Sequence, residues 1–303
     1  GAPTVLVFDA RHDELARRDA RTGRLRWRLE LGETIDGPPL VIGEQLFQVL
    51  PSGKTLVIAL ATGALEATID MGLPVTRTPA SDESGRFLYV AGRRHCLFVL
   101  ARDPLSCVAV EYLGHGEGSI PCPPERLGRF LIVVENDRPT DGQWRMLVLD
   151  DDGARPRLVQ QINVPGWTWD APPFSGSTVW AVGDRGGVEA FAAGDYASAN
   201  PLRSLAKLAP DAHSAGPAFA LTTSDRELWI AAERSGRFDL DAERGDLASR
   251  VLLGKLGVAS APIQQAAKRI VLTFEDPEAG GTSLRGVDPS TGKIAWETIV
   301  GAS

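Results

Sequence analysis

Three features are scarce in this chain, and each scarcity excludes a class of protein. Only three cysteines are present in 303 residues, an odd number that rules out a complete disulfide framework. No stretch reaches the length of an apolar membrane span, and none carries the 3.6-residue period of an amphipathic helix. Cations are outnumbered, leaving a net charge of -7. Phosphate binding draws on clustered Lys and Arg, so that balance argues against a nucleic-acid partner. What is abundant is turn-forming and apolar: 32 glycines, 21 prolines and 43% hydrophobic residues, the composition of one soluble domain with ample core and many turns.

The prolines carry a period. Pro39, Pro79, Pro123, Pro172, Pro217 and Pro262 each stand just ahead of a short apolar strand, spaced by 40, 44, 49, 45 and 45 residues. Self-similarity at that spacing is the mark of a radial array of small sheets, an all-β β-propeller with one four-stranded blade per repeat. Within one period the strands read Leu40–Gly43, Gln45–Val49, Thr55–Leu60 and Ala64–Ile69, separated by Pro51-Ser52-Gly53 and Ala61-Thr62-Gly63, where Gly and Ser supply turn geometry. The runs beginning at Phe87, Phe130, Thr178, Glu227 and Arg269 occupy the second-strand position of later units.

Seven units follow, near residues 1–32, 33–72, 73–114, 115–164, 165–210, 211–255 and 256–303. The first is short: its segments 4–8, 14–18 and 24–29 match strands two, three and four, so the blade lacks its inner strand. With Gly1-Ala2 resembling an expression remnant, the chain is expected to be a fragment of a longer protein, a single propeller domain closed by some other piece. The basic residues Arg17, Arg24, Arg26 and Arg28 are expected to face solvent on outer strands, where cations discourage edge pairing. Cys96 and Cys107 flank a turn at Arg102-Asp103-Pro104. Their odd separation places them on one face, leaving open either a cross-strand disulfide or two small buried hydrophobes.

Two segments, Asp19-Ala20-Arg21-Thr22-Gly23-Arg24-Leu25-Arg26-Trp27 and Asp288-Pro289-Ser290-Thr291-Gly292-Lys293-Ile294-Ala295-Trp296, resemble the pyrroloquinoline-quinone (PQQ) type propeller repeat, Asp-x-x-Thr-Gly-Lys-x-x-Trp. Ala61-Thr62-Gly63 is a degenerate copy. In that repeat the Thr-Gly turn joins the outer strands and the Trp packs between blades. The family has an enzymatic branch, quinoprotein dehydrogenases with PQQ and calcium, and a cofactor-free branch of the BamB type that holds protein partners. Adjacent cysteines are absent here, no Asp, Asn and Glu calcium set can be mapped, and seven units fall short of the usual eight. The resemblance therefore implies the BamB-like branch: no cofactor, a protein partner, and a periplasmic or extracytoplasmic setting.

The residues just before each proline should converge on one mouth of a propeller, giving a candidate binding face of Asp36, Arg77, Glu117, Trp167, Trp169, Asp170 and His213. Trp167-Thr168-Trp169 stands out, since alternate residues of an extended segment point the same way; the plainer reading is that both indoles fill gaps between blades. His213 could serve as a general base, but with no assigned partner it reads as an ordinary polar loop residue. Asp137, Asp141, Asp150, Asp151 and Asp152 lack EF-hand spacing and read as solvated turns, so no metal is expected. Arg244-Gly245-Asp246 reads as turn chemistry. The expected function is a non-catalytic binding or scaffolding module mediating protein–protein or small-ligand interaction; the alternatives are a PQQ-dependent dehydrogenase-like enzyme and a hydrolase or lyase working at the mouth.

Overall fold

The computed structural model describes residues 3–136, 138, 140–150, 152–210, 216–233, 235–254, 256–266, 268–276 and 280–300. Among them there is no helix. The first sheet has three strands, β1 (Thr4–Asp9), β2 (Glu14–Asp19) and β3 (Leu25–Glu30). Six four-stranded sheets follow. They are β4 (Leu40–Ile42) to β7 (Leu65–Asp70) through β5 (Gln45–Val49) and β6 (Lys54–Ala59), then β8 (Val75–Ser81), β9 (Phe87–Gly92), β10 (Cys96–Arg102) and β11 (Leu105–Tyr112). The fourth holds β12 (Glu125–Leu127), β13 (Phe130–Glu135), β14 (Asp141–Leu149) and β15 (Pro156–Pro165), and the fifth β16 (Phe174–Ser175), β17 (Thr178–Val182), β18 (Val188–Ala193) and β19 (Leu202–Leu208). The sixth comprises β20 (Phe219–Ser224), β21 (Glu227–Ala231), β22 (Ser235–Asp241) and β23 (Asp246–Gly254), the seventh β24 (Val258–Ala266), β25 (Arg269–Asp276), β26 (Gly281–Val287) and β27 (Ile294–Val300). Each sheet is a meander in chain order, the all-β architecture of a seven-bladed β-propeller whose first blade lacks its inner strand.

The chain forms two compact units, residues 1–131 with 149–157 and residues 132–148 with 158–303. In the first, the second strand of a sheet is buried on both faces. Along β5 and β6, Leu46, Leu56 and Ile58 join Leu15, Trp27 and Leu31 in one core, while Phe47, Val49 and Val57 join Val75, Leu88 and Val90 in the next. The second unit repeats the arrangement: on β21, Leu228 and Ile230 pack with Trp180 and Val182, and Trp229 and Ala231 with Ile270 and Leu272. A strand that feeds two cores has no solvent face, which is why these segments read as unbroken apolar runs rather than an alternation.

The Asp-x-x-Thr-Gly turns explain themselves at atomic level. Asp19 Oδ1 accepts the backbone N–H groups of Arg21 and Thr22 and the Thr22 hydroxyl, and its Oδ2 accepts Arg26 Nη2 at 2.9 Å. Asp288 accepts the Ser290 and Thr291 N–H groups and the Ser290 hydroxyl in the same way, and takes Arg269 Nη1 at 2.8 Å. Gly63, the glycine of the degenerate copy, has φ +75°, and a Cβ there would lie 2.7 Å from the Trp27 ring. The glycine is required twice over, by backbone conformation and by the indole seated on it. Trp27 Nε1 donates to the Leu60 carbonyl at 2.8 Å, which also accepts Arg17 Nη1 at 2.6 Å.

Four expectations need correction. Pro79 and Pro262 do not precede their strands but lie inside β8 and β24. The pairing jumps from Thr76 to Ala80 and from Ala261 to Gln264, so a bulge carries each proline past the ladder hydrogen bond that it cannot donate. Cys96 and Cys107 are not opposed, because the turn pairs Arg102 with Leu105 and thereby Cys107 with Leu100 and Cys96 with Tyr112. None of the three cysteines is in a disulfide; Cys107 is exposed, and Cys122 alone is buried. Arg24, Arg26 and Arg28 face solvent as expected, but Arg17 is half-buried and bonded to Thr4 Oγ1 and Leu60. Trp27 and Trp296 are also not equivalent: Trp27 is 7% exposed, whereas Trp296 is 42% exposed and lies over Gly286 of its own sheet.

Trp27→Ala is therefore expected to cost about 3 to 5 kcal/mol in denaturant unfolding, the range for deleting a buried aromatic, and Trp296→Ala less than about 1 kcal/mol. Equal losses would show that both indoles are docked alike. A second expectation concerns acid. The Arg26 guanidinium, followed by the Thr22 and Arg21 donors, holds Asp19 down at about 2. A carboxylate depressed on folding adds stability that is complete above its unfolded value and lost as pH falls towards the folded one. Melting temperatures measured from pH 5 to pH 2 should fall more steeply for the wild type than for Asp19→Asn.

Candidate functional site

The predicted face is built from segments entering the sheets, which the two units present separately. In the first unit three of these segments are in contact. The Thr78 hydroxyl donates to the Pro38 carbonyl at 2.7 Å, and a Cβ on Gly37 would meet Thr78 Oγ1 at 2.7 Å, so the strand entry carrying Asp36 lies directly against the bulge carrying Arg77. Arg77 has φ +66° and sends Nε to the Ile120 carbonyl at 3.3 Å, which ties that bulge to the loop bearing Glu117. A non-glycine residue in the left-handed region persists only where its surroundings hold it. Asp36 and Glu117 are exposed, and Glu117 pairs with Arg93 at 3.2 Å and Arg94 at 3.4 Å. Such solvent-exposed pairs contribute little stability.

In the second unit the segment 167–170 is held by its backbone. Trp167 N–H donates to Asp184 Oδ1 at 2.9 Å, and its indole Nε1 to the Arg138 carbonyl at 2.6 Å. Thr168 is 3% exposed and exchanges two hydrogen bonds with Asn136, donating its N–H to Oδ1 and accepting Nδ2 at its carbonyl; its hydroxyl lies 3.3 Å from Trp144 Nε1. Between this anchored threonine and the next strand, Trp169 is 38% exposed. Neither Trp167 nor Trp169 is a buried filler, since the first is half-exposed and capped by a carbonyl and the second meets solvent. Asp170 is half-buried and accepts the Ala171 N–H at 2.8 Å; burial raises its pKa, partly offset by that hydrogen bond. His213 lies outside the described residues, as do Asp137 and Asp151.

Two buried polar groups escaped the sequence reading. Glu135 Oε2 accepts both Arg145 Nε at 3.0 Å and Nη2 at 2.7 Å, a pair ten positions apart on separate strands with no motif to announce it. His115 is buried with Nε2 2.9 Å from the Gly92 carbonyl; an isolated histidine in a loop gave no signal of that. Among the described residues no group of three or more His, Cys, Asp and Glu side chains is disposed to hold a metal ion. No helix among the described residues is long and apolar enough to cross a membrane.

No family model matches the chain, and no curated protein does. Solved structures do. BamB from Moraxella catarrhalis aligns with a TM-score of 0.65 at 15% identity, over 90% of this chain and 79% of that one. A functionally unknown protein from Desulfotomaculum acetoxidans aligns at 0.66 and 10% identity over 99% and 96% of the two chains. A putative 6-phosphogluconolactonase from Bacteroides fragilis aligns at 0.66 and 16% identity over 98% and 93%. At these identities the likeness shows the fold, a β-propeller, and nothing finer.

Asp170 offers a check on the electrostatics of the second unit's site. A carboxylate whose folded pKa is raised burdens the fold when ionised and ceases to do so once protonated. Asp170→Asn should therefore raise the melting temperature at pH 7, with the gain shrinking as pH falls through the carboxylate range and absent at pH 3. A variant less stable at pH 7 would mean that the charge itself is favourably held.

Proposed function

We propose that this propeller is a non-catalytic, cofactor-free scaffold that binds a protein partner through its strand-entry segments, with Asp36, Arg77 and Glu117 in the first unit and Trp167, Trp169 and Asp170 in the second; His213 belongs to the same sequence-predicted set but lies outside the described residues. The observation that carries the reading is Trp169. An indole left open to solvent on a segment whose neighbours are fixed by paired hydrogen bonds is the kind of rigid aromatic anchor around which protein interfaces concentrate their energy. Arg77, held in a strained conformation at the bulge, is the second anchor. The likeness to BamB and the two Asp-x-x-Thr-Gly turns support a PQQ-type repeat of the BamB-like branch and an extracytoplasmic setting. A second reading, hydrolysis, draws on the likeness to the putative 6-phosphogluconolactonase.

The test is affinity capture from the native organism with wild type, Trp169→Ala, Arg77→Ala and, as a control, the outer-strand variant Val110→Ser. The same partner should be retained by wild type and Val110→Ser and lost from both mouth variants, with unchanged melting temperatures. Loss only with Val110→Ser would move the interface to the blade rim. Turnover of a lactone or other ester by the purified wild type would favour the hydrolase.

A further inference from the structure

β1 takes the place of a second strand in its sheet, yet it is not covered like one. β5, β9, β13, β17 and β21 are buried along almost their whole length. β1 alternates instead: Leu6 and Phe8 pack against the core of Leu15, Trp27 and Leu46, while Val5 and Val7 on the other face are 45% and 43% exposed. In the six other sheets an inner strand (β4, β8, β12, β16, β20 or β24) pairs with the second one. Among the described residues β1 pairs with β2 alone.

The register identifies the backbone groups at that edge. Thr4 stands opposite Asp19 and Asp9 opposite Glu14, and the Ala20 N–H donates to the Pro3 carbonyl at 2.8 Å. Hydrogen-bonded and non-hydrogen-bonded pairs alternate along an antiparallel ladder, so Val5, Val7 and Asp9 exchange their bonds with β2. Thr4, Leu6 and Phe8 therefore turn their N–H and C=O groups outward, at the spacing of a further strand. Natural sheets guard such edges with charge, proline or a bulge, and the stretch from Thr4 to Phe8 has none of these. The opposite edge of the same sheet is guarded, since β3 carries Arg26, Arg28 and Glu30.

Width and chemistry then select what pairs there. Inner strands of successive sheets touch, β4 with β8 and β8 with β12, so the repeat gives the position beside β1 the width of one strand. A second copy of the chain would bring its own β1 already joined to β2, and every strand among the described residues is placed in a sheet of its own. What fits is a single detached segment. Its side chains on one face lie beside Leu6 and Phe8 and on the other beside Val5 and Val7, so Val, Ile and Leu are favoured on both. We propose that the free edge of β1 is a docking site for an extended apolar segment of a partner polypeptide, which adds to the first sheet as a fourth, antiparallel strand. This edge uses none of the residues assigned to the partner above.

The experiment measures amide hydrogen exchange by NMR on the ¹⁵N-labelled chain. The probe is the peptide Lys-Thr-Val-Ile-Val-Leu-Thr-Lys, its lysines lying outside the paired stretch for solubility, with two forms N-methylated on one or the other set of alternate residues so that each has one edge blocked. At about ten times its Kd the unmethylated peptide should slow the Thr4, Leu6 and Phe8 amides roughly tenfold, exchange proceeding only from free protein, and leave Val5 and Val7 unchanged. One methylated form should act alike and the other should not bind. Val7→Lys, a change at an exposed position, should weaken the peptide roughly tenfold or more at an unchanged melting temperature. No slowing by the unmethylated peptide, equal behaviour of the two methylated forms, slowing confined to positions outside β1, or full affinity in Val7→Lys would each overturn the proposal. Slowing at Thr4, Leu6 and Phe8 that follows protein concentration without peptide would overturn it in favour of pairing between two copies.

Discussion

The constraint on which this structure depends is that the second strand of a four-stranded sheet, such as β5, β13 or β21, has no solvent face. A four-stranded sheet buries little alone, and β5 or β21 would expose half of its apolar side chains if it stood by itself. Packing a sheet on each side removes both faces from water, at about 25 cal/mol per Å² of apolar surface, and assigns alternate residues of one strand to two cores: Leu46 to one and Phe47 to the other, Leu228 to one and Trp229 to the other. The outer strands are released from that demand. β27 is exposed along its whole length, and β7 is largely so.

Close sheet packing in turn dictates the turn chemistry. Where Trp27 reaches the next sheet it needs a surface without a Cβ, and Gly63 supplies it while also adopting the left-handed conformation that the turn requires. In the second unit Gly292 does the same for Val251, whose Cγ1 would lie 2.3 Å from a Cβ there. The aspartate that opens the motif belongs to the turn itself, since it gathers the N–H groups two and three residues on and so fixes the reversal before any sheet is packed. One short motif thus combines a local device with a tertiary one.

The strand entries are where these rules relax. Prolines enforce bulges at Pro79 and Pro262, and the skipped residues gain freedom to aim side chains away from the ladder. Arg77 owes its position to such a bulge. The segment 167–170 achieves a similar result differently, by satisfying its backbone through Asn136 and Asp184 instead of a neighbouring strand. That leaves Trp169 at the surface and Asp170 half-buried.

Much of the fold was legible because it is written in local and periodic terms. The proline phase, the unbroken apolar runs, the Asp-x-x-Thr-Gly turns and the missing strand of the first sheet depend on spacing and turn chemistry, which a single chain displays in full. The candidate site was legible only as a set of positions. Whether Cys96 meets Cys107 depends on the turn at residues 103–104, which sets the register and separates them. Whether a tryptophan is buried depends on what packs against it, so Trp27 and Trp296 share a motif and differ in exposure. The raised pKa of Asp170 and the orphaned indole of Trp180 arise from the placement of Thr168, Pro172 and Ala218 around them. Sequence determined which residues form strands and turns, because backbone preference and periodicity are local; tertiary structure decided which polar groups lose water without gaining a partner, because desolvation depends on the three-dimensional surroundings.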